Sequence, residues 1–197
     1  MNMKMKQLFL LSALCLSASS LFAQDRRHEI SLGYGLGTTS DFLDAFSDVL
    51  ATVASGGEIS QDNENYSGAV HLSYKYLVMD RLGVGGTLVY EHASADAWQH
   101  SEQTGRIKRN YYTIAAEVDY RYVRRPFFTL YSGLGLGYTS HHEKYQPDAG
   151  EESSASTGHF NFQITGIGAR FGGRAGGFAE AGFGYKGLFC VGAYTRF

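Results

Sequence analysis

The sequence predicts an all-β fold, an eight-stranded antiparallel up-and-down transmembrane β-barrel. Its periplasmic turns are expected to be short, its extracellular loops longer, and one loop to carry a helix. Three observations predict this. Beyond residue 23 the chain falls into segments of roughly ten residues in which apolar and polar side chains alternate. The last segment sets Phe189, Val191, Ala193, Thr195 and Phe197 against Cys190, Gly192, Tyr194 and Arg196. Such a strand suits a barrel, where the last strand pairs with the first and leaves no edge. Aromatic residues also gather toward the segment ends, where a bilayer has its interfaces.

Residues 1–23 read as a cleaved secretory signal peptide, leaving 24–197 as the barrel domain. Lys4 and Lys6 precede an apolar run from Leu8 to Leu14, small residues follow, and Leu21-Phe22-Ala23 forms the cleavage site before Gln24. The run is far shorter than the ~20 residues of a spanning helix. Cys15 could suggest a lipid anchor, but Leu14 is a poor residue before a lipidated cysteine. With the leader removed, Cys190 is the remaining cysteine, and no internal disulfide is possible. The chain holds 25 Gly and only 2 Pro. A net charge of −2 argues against nucleic acid as a partner.

Strand one covers about His28 to Gly37, with Ile30, Leu32, Tyr34 and Leu36 on its apolar face. Strand two, about Ser67 to Val78, sets Val70, Leu72, Tyr74 and Tyr76 against His71, Ser73 and Lys75. Strand three, Leu82 to Glu91, sets Val84, Leu88 and Tyr90 against Gly83, Gly85, Thr87 and Glu91. Strand four, Asn110 to Tyr122, alternates most clearly, with Thr113, Ala115, Glu117, Asp119 and Arg121 on its polar face. Strand five spans Phe127 to Thr139, and strand six spans His159 to Arg170. The phase of strand six breaks at Gly166, which predicts a bulge. Strand seven, Gly177 to Lys186, sets Ala179, Ala181, Phe183 and Tyr185 against Glu180, Gly182, Gly184 and Lys186.

The apolar faces are assigned to lipid, and the mixed faces of glycine, hydroxyls and opposed charges to the lumen. A lumen network of Lys75, Glu117, Arg121, Glu180 and Lys186 is therefore expected. Eight strands enclose a space that side chains just fill, so these charges should plug the lumen rather than line a pore. Running the strands alternately up and down puts Tyr76, Tyr120, Tyr122, Phe128 and Phe197 at one rim. Tyr90, Tyr112, Tyr138, Phe160 and Tyr185 fall at the other. The connections after strands two, four and six are tight, and those after one, three and five are long. The very short one near Gly187-Leu188 breaks the rule.

Gly33-Tyr34-Gly35, the Ala179-to-Tyr185 strand and the closing Gly192-Ala193-Tyr194-Thr195-Arg196-Phe197 carry a family resemblance. With the leader, they make the chain resemble the small eight-stranded outer-membrane proteins, the OmpX/OmpW-like outer membrane protein beta-barrel family. The resemblance implies residence in the outer membrane of a Gram-negative-type bacterium. It implies outer-membrane lipid and the barrel-insertion machinery as partners. Gly192 and Phe197 match the terminal insertion signal of that family, while Thr195 departs from its usual larger hydrophobe.

Four features lie outside the lumen network. A helix near 41–54 carries Phe42, Phe46, Val49, Leu50 and Val53 on one stripe, with Ser40 as its cap. His92, His100, His141, His142 and His159 gather in the outer segments without a metal-ligand spacing, so no metal or cofactor is expected. Ser140, His141 and Glu143 supply the residue types of a hydrolytic triad, but neighbours on a chain point apart, and no catalytic residues are assigned. Glu151 and Glu152 with Ser153, Ser154 and Ser156 read as a solvated loop tip. The expected role is non-enzymatic: structural, adhesive or surface-protective, with an extracellular ligand met through the loops. The alternatives are a narrow channel for small hydrophobic solutes and an outer-membrane lipid-modifying enzyme.

Overall fold

An alternating chain in lipid must hide its main-chain donors and acceptors, and a closed sheet hides all of them. The computed structural model of the protein takes that solution. It describes residues 27–41, 43, 59–99, 102–147 and 153–197. The strands are β1 (His28–Leu36), β2 (Ile59–Met79), β3 (Leu82–Gln99), β4 (Glu102–Arg124), β5 (Phe128–Pro147), β6 (Ser153–Gly172), β7 (Ala175–Gly184) and β8 (Phe189–Arg196). They form one closed barrel in sequence order. The ring closes where β8 pairs antiparallel with β1, from Glu29↔Arg196 to Leu36↔Phe189. The expected leader (1–23), most of the helix expected near 41–54, His100, Glu151 and Glu152 lie outside the described residues.

The side chains take the predicted sides. Leu136 and Phe160 stand 75% and 89% exposed on the outer surface, while Tyr131 and Asp119 are 0% and 1% exposed inside. The outside is thus apolar and the inside polar, the inverse of a water-soluble barrel. Among the described residues the buried apolar cluster is small: Ala69, Val89, Ala115 and Tyr185. Aromatic contacts mark both rims. Tyr90–Tyr112 and Tyr138–Phe160 centroids lie 5.2 and 5.9 Å apart at the outer one. His28 stacks on Phe197 at 5.6 Å, and Phe128 meets Phe171 at 5.3 Å, at the periplasmic one.

The bulge in β6 is present. Gly166 is extra against both neighbours, since the register shifts between Tyr131 and Gly133 on one side and between Thr165 and Ile167 on the other. Two expectations need correction. The strands of the central wall run further than the alternation suggested. β2 to β6 are 18 to 23 residues long, and much of the sequence assigned to long outer loops is strand. The outer halves carry polar residues on both faces, so period two has no contrast to reveal them.

Tyr185 is the other correction. The alternation puts it on the lipid face at the outer rim, yet it is 2% exposed and inside. Gly184 has φ of +146°, which only glycine adopts easily, and it breaks the alternation. Tyr185 and Lys186 then both turn inward. The same event explains the very short connection after β7. That turn folds into the lumen, with Tyr185 N donating to Phe162 O (3.1 Å) and Leu188 N donating to Leu36 O (2.8 Å). Gly35 makes room for it, because a Cβ there would lie 1.7 Å from Lys186 O.

The barrel should migrate differently in SDS gels before and after boiling. Gly35→Ala should reduce the heat-resistant form, because its methyl meets main chain and overpacking costs ~1–3 kcal/mol. Gly177→Ala, whose methyl meets its nearest atom at 3.5 Å, should leave the form intact.

Candidate functional site

Five of the charged residues singled out from the sequence lie in the lumen: Lys75, Glu117, Arg121, Glu180 and Lys186, each no more than 6% exposed. They come from β2, β4, β7 and the turn after β7. Alternation aims Lys75, Glu117, Arg121 and Glu180 inward, the turn after Gly184 carries Lys186 in, and the strand stagger brings them to neighbouring levels. Lys75 Nζ lies 3.1 Å from Glu117 Oε2 and 3.0 Å from Asp119 Oδ2. Lys186 Nζ lies 3.2 Å from Glu117 Oε1 and 3.0 Å from Glu180 Oε2. Tyr185 donates its hydroxyl to Glu117 at 3.0 Å, and Tyr131 donates to Glu180 at 2.6 Å.

A second layer sits toward the periplasm. Arg121 Nε donates to Asp119 Oδ1 at 3.0 Å. Glu29 is its hub: Arg121, Arg170 and Arg196 approach that carboxylate at 3.2, 2.9 and 2.8 Å. The Arg170 guanidinium lies 3.7 Å over the Tyr131 ring, tying the two layers together. Arginine suits this hub because its planar fork can reach two carboxylates at once. Each charge is buried beside an opposite one, as a low-dielectric interior demands.

Sequence reasoning missed the full weight of Glu29 and Arg170. Glu29 sits in phase on strand one and was readable. Arg170 follows the Gly166 bulge, which inverts the phase and hid its direction. His71 also lies in the lumen, 1% exposed, in space left by Gly33 and against Phe178 at 6.0 Å between ring centroids.

The outer mouth is closed by the start of the first outer loop. Thr38, Thr39 and Ser40 are buried. Thr38 donates to Glu91 at 2.8 Å, and Thr39 donates to Asn161 at 3.0 Å. Asn161 in turn donates to Thr139 at 3.1 Å. Thr38, not Ser40, caps the helical turn that begins at residue 39. Its N–H donates to Asp41 Oδ2 at 2.9 Å, and Asp41 N–H donates back to Thr38 Oγ1 at 3.2 Å.

The histidines do not converge. His92 shares Asn110 Oδ1 at 3.0 Å, and His141 stacks on Tyr111 at 4.5 Å. His142 lies on the other face of β5, against Tyr112 at 6.1 Å, and His159 is on β6. Among the described residues no group of three or more His, Cys, Asp or Glu is arranged to hold a metal. His141 Nε2 is 4.0 Å from Glu143, but Ser140 faces outward with Tyr138 and Tyr112. β5 therefore separates the hydroxyl from the imidazole.

Gly192 and Phe197 belong to the seam. Gly192 pairs with Gly33 of β1, and a Cβ on it would lie 2.2 Å from Leu32 O. Phe197 exchanges main-chain hydrogen bonds with His28 at 3.0 and 3.1 Å. The seam closes an apolar-outside ring around a charged inside.

The chain belongs to the outer membrane protein beta-barrel domain family. That family's model matches residues 8–186, which takes in all of β1 to β7. This is an outer-membrane protein. Among solved structures it is similar to Ail, the attachment invasion locus protein of Yersinia pestis, at 16% identity and a TM-score of 0.45. The alignment covers 87% of this chain and 97% of that one. No curated protein matches the sequence.

Glu29→Leu should destabilise the folded barrel by roughly 3–5 kcal/mol, because three guanidinium groups lose their shared partner. Arg196→Leu in the same chain should recover part of the loss. Denaturant unfolding in detergent micelles or liposomes, followed by tryptophan fluorescence or gel mobility, measures both.

Proposed function

We propose that this outer-membrane barrel is a non-enzymatic surface protein that binds extended partner segments along a raised sheet. The observation that supports this reading is the height difference around the ring. β1, β7 and β8 have 8 to 10 residues, about what a spanning strand needs. β2 to β6 have about twice that. At ~3.3 Å per residue they rise well past the bilayer as a five-stranded sheet.

This sheet has open sides. Ser153 to Phe162 of β6 pair with β5, while β7 begins its pairing only at Gln163, among the described residues. Ser153, Ser154, Ala155, Ser156, Thr157 and Gly158 are all exposed. An exposed strand with small side chains offers a ladder of main-chain donors and acceptors to another extended chain. The lumen contributes rigidity to this reading, since its paired charges hold the wall upright. Lipid contacts the apolar outer face, and Gly192 with Phe197 serves the insertion machinery.

Proline at Ser156 or at Thr157 should test the edge, since one of the two carries its N–H on the side away from β5. Expressing cells should adhere several-fold less to a host-cell or matrix surface in one of the variants, with the heat-dependent gel shift unchanged. Adherence equal to wild type in both would remove the edge as the binding element. Planar-bilayer recordings of the purified barrel should show no sustained conductance steps, because the lumen is packed with side chains. Stable steps would favour the narrow channel instead.

A further inference from the structure

We propose that the periplasmic mouth of the barrel is a binding site for a phosphate-bearing anion. It stands apart from the raised sheet, at the opposite end of the molecule. A cavity of about 280 Å³ opens there, lined by Arg121, Arg124, Arg125, Pro126, Gly173 and Arg196. It holds far more than a water, whose share of liquid volume is ~30 Å³. Among the described residues that line it, Arg121, Arg124, Arg125 and Arg196 are cationic and none is acidic.

Among the described residues, the cationic charge at this mouth exceeds the acidic charge that meets it. Arg121 and Arg196 share Glu29 with Arg170, so one carboxylate serves three guanidinium groups. Asp119 neutralises part of that excess through Arg121 and Arg170, but it also serves Lys75. Arg124 Nη1 donates to the Asp80 main-chain oxygen at 2.8 Å and lies 3.5 Å from its exposed Oδ1. The geometry leaves a donor waiting as well. Arg196 donates its Nε to Glu29 at 2.8 Å, while its Nη2 is buried with no hydrogen-bond partner. A buried donor of a charged group left unmade is costly, and the residue that carries it lines the cavity.

The class of anion follows from the number of forks. One guanidinium saturates a carboxylate through two parallel bonds. Several guanidinium groups around one cavity suit an oxyanion with three or more acceptor oxygens and more than one charge, which is phosphate chemistry. The depth agrees. Tyr122, Phe127 and Phe171 are exposed on the outer face beside the same turns, so the arginines sit at the level of lipid headgroups. The phosphate can come from a phospholipid of the inner leaflet or from a soluble phosphate in the periplasm.

The refolded barrel in a phosphate-free detergent is titrated with inorganic phosphate by calorimetry, with chloride at equal ionic strength as the control. Saturable binding to phosphate alone is expected. Arg124→Gln with Arg125→Gln should weaken it roughly tenfold or more, since two charge-assisted donors go. Both lie at the exposed turn and should leave the gel shift unchanged. Arg196→Lys keeps a cation for Glu29 but lacks the Nη2 donor, and should also weaken binding. A second arm places the barrel in nanodiscs of phosphatidylcholine with a minority of phosphatidylglycerol. Enrichment of phosphatidylglycerol on the wild-type barrel by native mass spectrometry, lost in the double variant, assigns the phosphate to lipid. Phosphate binding without that enrichment assigns it to a soluble source. Absence of both, or phosphate binding that the folded double variant and Arg196→Lys leave unchanged, overturns the site.

Discussion

Glu29 and the charges around it set the terms for the rest of this molecule. An eight-stranded ring is too narrow for a water column, so a charge that turns inward must meet another charge or its hydrogen bonds stay unmade. Three arginines drawn from β4, β6 and β8 converge on one carboxylate of β1. That convergence spans the seam between the first and last strands. The β1–β8 pairing alone would hold eight residue pairs by main-chain bonds. The arginine hub adds a side-chain clasp across the same join, within the layer where β8 ends. Closure of the ring and neutrality of the lumen are therefore one requirement rather than two.

Much of this was legible in the sequence, and the reasons are local. Strand four reads unambiguously because its two faces meet lipid and lumen along the whole stretch from Asn110 to Tyr122. Lys75, Glu117, Arg121, Glu180 and Lys186 could be assigned inward because each falls in phase with glycine or hydroxyl neighbours. Two kinds of residue escaped. Arg170 lies after a bulge, where a single extra residue exchanges the faces. Tyr185 follows a glycine with positive φ, where the strand geometry stops. Composition offered no warning for Tyr185, since a tyrosine at a strand end is what an aromatic girdle also requires. The outer halves of β2 to β6 escaped for another reason. Water on both faces erases the contrast on which period-two reading depends.

The two mouths of the barrel are built by different physics. At the outer mouth the closure is main chain and neutral side chains. Thr38 and Thr39 fold over the lumen, and the Tyr185–Leu188 turn enters it from the low wall. Gly35 and Gly184 permit that approach by lacking side chains. At the periplasmic mouth the closure is incomplete and cationic, with the Arg125–Pro126 turn and Gly173 bordering open space. Among the described residues, a lumen covered by main chain at one end and lined by arginine at the other is polarised.

That polarity bears on how the raised sheet can act. A static plug transmits nothing along the barrel axis unless its two layers shift together. The link between the layers is the Arg170 guanidinium against Tyr131, with Tyr131 bonded to Glu180 and Glu180 to Lys186 in the outer turn. Every group in that chain is buried and held by at least one partner at hydrogen-bond distance, so its members have little room to move independently. The outer sheet is then best regarded as a fixed platform, carried on a rigid ring whose interior serves to keep it closed. Variation in what the protein meets outside can be accommodated in the exposed halves of β2 to β6 without disturbing a single lumen charge. The division follows from burial. The inward positions are constrained by pairing, and the exposed edge of β6 from Ser153 to Gly158 is constrained only by remaining a strand.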